Sequence, residues 1–326
     1  MPVDIELRDV ADHICDYTFN FYWHEHALDP DSVIPSQKGT EYTYRDLVNA
    51  LKKGDTVRIK GNMGKNFAYS VGADIQHLGG SGDVEKAGRI FVDGDVGPEA
   101  AMGMVSGTLY VAGKIAQPWG NIVEMASDME SYRKFRSITD IVHNGLGNDS
   151  LLVNKYNEKE RTLEIDDGIL RGTIAARCNK FFRITVQGDV HNGTGVLMQD
   201  GTVIVNGNAG MNTGSHLDGA TVVINGNVGE FAGAFMKSGT LVFLAAKGYI
   251  GAEMIGGTIY SKDKVKANPP VEKSKMKGED SALIRKLMDA GRVESMLYNK
   301  YEIGEEKEKY VEVRMRDGSV IMRKID

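Results

Sequence analysis

The chain has 326 residues and a formal net charge of -6, with 39 glycines against 7 prolines. An average composition carries about 7% glycine, so roughly 16 glycines are in excess; scarce proline excludes a collagen-like chain, and glycines set among Val, Ile, Leu and Met exclude a flexible linker or a disordered chain. A pI near 5.7 gives no electrostatic footprint for nucleic acid, and two distant cysteines, Cys15 and Cys178, supply no disulfide framework, so the expectation is a cytoplasmic protein with no signal peptide and no membrane span.

Residues 1–54 carry no repeat and read as a small α/β cap. Their densest polar cluster is Trp23-His24-Glu25-His26. Two histidines at i and i+2 on a strand share a face and suit part of a metal site, but with no third ligand in view the His24/His26 pair reads as structural. The stretch 44–53 reads as a short helix, with Thr43 as N-cap and Gly54 as its stop. A first repetitive block, 55–130, follows. It contains DTVRIKGNMGKNFAYSVGAD from Asp55, GRIFVDGDVGPEAAMGMVS from Gly88 and GTLYVAGKIAQPWGN from Gly107, the last two starting 19 residues apart. Residues 75–87, with Gly79-Gly80-Ser81-Gly82, read as an insertion. Over 131–162 the spacing of Phe135, Ile138, Ile141 and Val142 predicts a bridging helix ending at Asn144-Gly145, then a linker.

The second block spans 163–262. LEIDDGILRGTIAARCNKF reads as a degenerate opening coil. Units then start at Phe182, Gly201, Ala220, Gly239 and Gly257, spaced 19, 19, 19 and 18 residues apart. Each opens with a β-branched run such as Thr202-Val203-Ile204-Val205; a turn signal follows, Asn206-Gly207-Asn208 or Asn225-Gly226-Asn227, then a second small-residue corner, and Met198, Leu217, Met236 or Met254 precedes the next unit. In 263–326 a Lys-rich linker with Pro269-Pro270 precedes a helix or helix pair over 280–302, broken near Gly291. The end reads as a two-residue hairpin around Asp317-Gly318.

A period of 18–19 residues suits one coil of a parallel β-solenoid: short strands stack, and corners that need positive φ or close backbone approach select Gly or Asn. Antiparallel hairpins are the alternative, but they do not require near-identical units at constant offset.

No phosphate loop and no nucleophile elbow is present, and the glycine clusters lead into further strands instead of the helix that a dinucleotide fold requires. His191 and His216 fall near corners of adjacent coils, without an acid or nucleophile at matching spacing. Asp166-Asp167 and Asp93/Asp95 pair carboxylates as a Ca²⁺ or Mg²⁺ site does, but without a binding motif they read as solvated turn residues. Cys178, beside Arg177, reads as an inert thiol. Asp189, Asp200 and Asp218 are candidates for a groove enzyme only if they lie together. No catalytic, cofactor-binding or metal residue is assigned from the sequence.

The units GTVIVNGNAGMNTGSHLDG, ATVVINGNVGEFAGAFMKS and GRIFVDGDVGPEAAMGMVS resemble the GXGXG family, represented by the C-terminal domain of the glutamate synthase large subunit and by the GXGXG-type subunit of formylmethanofuran dehydrogenase. The resemblance covers about 55–125 and 182–262, and the NAG and EFAGAFM wording is closer to the archaeal-type formylmethanofuran dehydrogenase protein. It implies a mainly β fold, a right-handed parallel β-helix with small α/β N- and C-terminal extensions. It also implies a non-catalytic scaffold subunit that binds no cofactor itself, with other protein subunits of a redox complex as partners. Those partners would carry molybdopterin and iron–sulfur centres, or FMN if the chain is instead a glutamate-synthase-type module working with separate amidotransferase and FMN subunits. An independent groove enzyme is the remaining alternative.

Overall fold

The β-branched runs form a stack of short parallel strands. In the computed structural model, which describes residues 2–20, 27–304, 309–314 and 320–325, β1 (Val3–Glu6), helix α1 (Tyr44–Lys52), β2 (Thr56–Lys60), β3 (Arg89–Asp93) and β4 (Thr108–Val111) open the chain. His24, His26 and the turn at Asp317-Gly318 lie outside the described residues. Strands β1 to β4 pair in parallel: Val3 stands opposite Val57, Val57 opposite Ile90 and Ile90 opposite Leu109. The chain then leaves the stack as β5 (Ile122–Met125), β6 (Arg133–Ser137), helix α2 (Ile138–Asn144) and β7 (Lys155–Asn157). It returns through β8 (Thr162–Ile165), β9 (Arg183–Gln187), β10 (Thr202–Asn206), β11 (Thr221–Ile224), β12 (Thr240–Phe243), β13 (Tyr249–Ile250) and β14 (Thr258–Ser261). Of these, β8 to β12 and β14 form one parallel ladder. The fold is a parallel β-helix.

Alternation along the strands explains the core. Val203 and Val205, Val222 and Ile224, and Leu241 and Phe243 face inward on successive coils and are fully buried. Met198, Leu217, Met236 and Met254 fill the interior between the strands and the opposite wall. Glycines mark corners where coils touch. A Cβ on Gly97 would lie 2.6 Å from the Gly64 carbonyl carbon, and one on Gly229 would lie 2.7 Å from that of Gly210.

After β14 come β15 (Lys266–Ala267), β16 (Val271–Ser274), helices α3 (Gly278–Met288) and α4 (Arg292–Ser295), and β17 (Asn299–Ile303). The hairpin strands β18 (Lys309–Arg314) and β19 (Val320–Ile325) follow and pair antiparallel. Strand β17 closes the ladder by pairing antiparallel with β14 and β16, and Ile284 of α3 covers Val242 and Tyr260 on the outer sheet face. The break near Gly291 is as expected. The residues read as a linker and as the end of a helix instead supply β15, β16 and β17, because the last coil offers an open strand edge that they pair with or extend.

Two further expectations are corrected. The cap reading of 1–54 fails over 3–20, which form the first coil: besides β1, Ala11 bridges Met63 and the Tyr17 amide donates to the Tyr69 carbonyl at 2.9 Å. Helix α1, capped by Thr43 as expected, packs Leu47 and Leu51 into the same core. The bridging helix begins only at Ile138. Residues 133–137 are extended because they pair antiparallel with β4, where the next coil's strand is missing.

The two blocks are one continuous stack along the side opposite these strands. Trp119 bridges Ala100 below it and Arg171 above it, although 51 residues lie between Trp119 and Arg171 in the chain. The strand side is interrupted there: β6 and β5 close the first ladder and β7 closes the second.

Candidate functional site

Each complete coil crosses back toward the next strand through an arm of unusual backbone. Left-handed φ values recur at alternate residues: 66, 68 and 70; 99, 101 and 103; 193, 195 and 197; 212, 214 and 216; 231, 233 and 235. The fourth coil lacks this arm. Its unit, GTLYVAGKIAQPWGN, has 15 residues where its neighbour has 19, and after Asn121 the chain turns directly into β5. The arm of the third coil therefore faces that of the fifth with one layer missing between them.

The interior of the gap is filled by polar side chains that imitate the missing backbone. Asn121, fully buried, accepts from the Ala175 amide at 2.9 Å and donates to the Met104 carbonyl at 2.9 Å and to Thr139 Oγ1 at 2.8 Å. Ser137 donates to the same Met104 carbonyl at 2.8 Å, and Thr139 donates to the Ala176 carbonyl at 2.7 Å. A carboxamide has the donor and acceptor of a peptide group, so Asn121 spans third and fifth coils as the absent arm would have done.

Arg171 stitches the same junction. Its Nε donates to the Ile122 carbonyl at 2.8 Å, its guanidinium lies over the Trp119 ring at 5.3 Å, and Nη1 holds Asp167 at 2.6 Å. Burial pushes the Asp167 carboxyl up, but the hydrogen bonds and charge of Arg171 pull it further down, so it sits below the usual carboxylate range. The solvated-turn reading of Asp166-Asp167 is corrected for Asp167, which Arg171 draws into the protein.

Toward solvent the gap is left open as a cavity of about 220 Å³. Lys65 and Tyr69 of the second coil line it, with Glu99 and Met102 of the third, Thr173 of the fifth and Asn192 of the sixth. Thr173 has φ of 52°, a conformation that is strained for a β-branched residue and costs about 1–3 kcal/mol. Its hydroxyl compensates across the gap, accepting from the Gly103 amide at 2.8 Å and donating to the Gly172 carbonyl at 2.8 Å. His191 Nε2 stands 3.6 Å from Glu99 Oε1. This histidine was expected to lack an acid partner; the stack supplies one from three coils earlier. Lys65 Nζ has no ion-pair or hydrogen-bond partner among the described residues.

A larger cleft of about 800 Å³ lies beside α2 and the 75–87 insertion, and on its α2 side Arg136, Asp140 and Asp149 are already paired. Arg136 binds Asp140 and Asp149, each at 3.0 Å, and Lys134 holds Asp149 at 2.7 Å. His143 accepts from the Asn179 amide at 3.2 Å. Its pKa is lowered by burial and by the nearby Lys180, so the ring is neutral with its proton on Nδ1.

The other sequence candidates disperse. His216 stacks on Phe235 at 4.8 Å, with Nδ1 3.0 Å from Ser215 Oγ. Asp189 accepts from the Asn208 amide at 2.7 Å at the corner after the strand, whereas Asp200 and Asp218 sit at the corner before it, on the Gly201 amide and Ser238. They do not share a groove face. Asp95 accepts from the Lys114 amide at 2.8 Å, and Asp93 from the Tyr132 hydroxyl. Cys178 is buried, and burial pushes its thiol up to about 11. Among the described residues no three His, Cys, Asp or Glu side chains group as metal ligands, and no helix is long and apolar enough to cross a membrane. Sequence reasoning missed Asn121, Lys65, Glu99 and Thr173; the available signal was the short fourth unit.

No family model matches the chain. It is 44% identical over 205 residues to an uncharacterised protein of the archaeon Methanothermobacter thermautotrophicus, a match that covers 62% of this chain and 65% of that protein.

Proposed function

We propose that this chain is a non-catalytic scaffold subunit of a multisubunit redox enzyme, of the kind represented by the GXGXG-type subunit of formylmethanofuran dehydrogenase. The observation that carries the reading is a row of exposed apolar side chains on the arms of consecutive coils. Phe231, Phe235 and Tyr249 are 41%, 47% and 49% exposed, with Met211 and Ile255 beside them on the coils before and after. Phe231 and Tyr249 are direct neighbours, since the Phe231 amide donates to the Tyr249 carbonyl at 3.0 Å. Large exposed apolar groups in a contiguous row mark surfaces that are covered by another molecule. A β-helix presents them at fixed spacing on a rigid body, which is what holding other subunits in place requires.

The test is purification of the tagged chain from its own cells, with the Phe231→Ser/Phe235→Ser variant alongside. Wild type should elute in a stoichiometric assembly containing subunits with molybdopterin and iron–sulfur centres; FMN-bearing subunits would point to the glutamate-synthase-type module instead. The variant should lose those subunits while keeping its unfolding midpoint. A wild-type chain that elutes at 35.7 kDa, or a variant that retains every partner, refutes the scaffold.

A further inference from the structure

We infer that the cavity at the skipped arm binds a small zwitterion of the α-amino-acid class. This inference does not rest on the scaffold reading. The cavity lies where one arm of an otherwise regular stack is absent, its wall taken from Glu99 and Met102 of the third coil and Thr173 of the fifth, beside the polar plug of Asn121, Ser137 and Thr139. Its volume, about 220 Å³, corresponds to roughly seven waters at ~30 Å³ each. That admits a ligand of about ten heavy atoms.

The wall chemistry is amphoteric. Lys65 contributes an ammonium with no partner among the described residues, and Glu99 a carboxylate whose neighbour is His191 Nε2 at 3.6 Å, beyond direct hydrogen bonding. These two charges come from adjacent coils, yet they form no ion pair with each other. A ligand that carries both signs satisfies both: its carboxylate meets Lys65, and its ammonium meets Glu99. Asn192 already uses Oδ1 to accept from the Met211 amide at 2.9 Å, which leaves its Nδ2 protons to donate to the ligand carboxylate. Tyr69 and Met102 supply apolar wall for a short side chain. A plain carboxylate or a plain amine would leave one wall charge facing the wrong group, so the site discriminates by requiring both.

The experiment is a thermal-shift screen of the full-length protein with each of the twenty protein amino acids, followed by calorimetry on any that respond. Acetate and methylamine serve as single-charge controls. At least one amino acid should raise the midpoint in a saturable way, and the controls should not. Lys65→Met and Glu99→Gln, both solvent-accessible changes, should each weaken binding about tenfold or more with the unliganded midpoint unchanged. No response to any amino acid overturns the inference. So does an equal response to the single-charge controls, or binding that survives both substitutions.

Discussion

Replacing Asn121 by Leu tests whether a side chain substitutes for the missing arm. The substitution keeps the approximate shape and removes the carboxamide. The Ala175 amide then loses its acceptor inside a fully buried site, and an orphaned buried N–H costs about 1–3 kcal/mol. The two bonds donated by Asn121 are also lost, but their acceptors keep other partners: Met104 O retains Ser137, and Thr139 still donates to Ala176 O. Those losses add about 0.5–1 kcal/mol each, so the net effect is about 3 kcal/mol, or roughly 150-fold in the unfolding equilibrium.

Nearest-neighbour coupling in a solenoid makes the location of that loss measurable. Wild type should unfold with its two blocks coupled. Asn121→Leu should lower the midpoint and separate the transition into two, with amide exchange at Ala175 accelerated ahead of amides in β10. Ser137→Ala is the internal control: its carbonyl partner keeps Asn121, a long 3.4 Å bond from Asn121 Nδ2 is lost, and the main loss is the N-cap of α2, where Ser137 accepts from the Asp140 amide, so it should cost about 1 kcal/mol. If Asn121→Leu costs no more than Ser137→Ala and leaves Ala175 protected, the peptide-mimic argument is wrong.

Two other outcomes follow from the same geometry. Gly226→Ala places a Cβ against the Gly207 carbonyl oxygen and 2.8 Å from the carbonyl carbon, a clash with backbone that should lower stability by about 1–3 kcal/mol. Gly188→Ala, with φ of 97° and open space around it, should cost only the left-handed strain of about 1–2 kcal/mol; urea titrations of the two variants compare them. Asp167 has a folded-state pKa below its unfolded value, so its stabilising contribution is present above about pH 3.9 and is lost as pH falls through the lower folded value. Asp167→Asn should flatten the acid limb of the stability curve, and it should destabilise at pH 7 by about 3–5 kcal/mol because Arg171 is left buried without its counter-ion; an unchanged acid limb would contradict the assignment.

Local rules made the solenoid legible. Inward ladders such as Val203, Val222 and Leu241 are written in the strand period, and the Asn-Gly corners recur at constant offset, so each coil announces itself within its own residues. Strand β6 did not, because Phe135, Ile138 and Ile141 fit a helical face as well as they fit the real arrangement. What decides the matter is the open edge of β4, contributed by residues 108–111. The site was least legible for the same reason. Its polar plug draws on residues 121, 137 and 139, and its cavity on coils separated by more than one hundred residues. Only the shortened fourth unit hints, within one stretch of sequence, that something must replace an arm.

The first coil escaped notice for a more specific reason, which also explains where the glycine surplus lies. A Cβ added at a corner glycine meets the coil before it: Gly64 meets the Ala11 carbonyl at 3.2 Å, Gly97 meets Gly64 at 2.6 Å, Gly210 meets the Asn192 amide at 2.9 Å and Gly229 meets the Met211 amide at 2.6 Å. At these four corners the close approach is to the preceding coil, whereas arm glycines such as Gly72, Gly195 and Gly233 meet a later one. Among the described residues β1 is the edge strand of its sheet, and residues 1–38 contain no glycine at all. The first coil's arm nevertheless repeats the left-handed backbone, at His13 and Cys15 with φ of 58° each. Corner glycines thus count the joints between coils and not the coils, so a reading based on them begins one coil late.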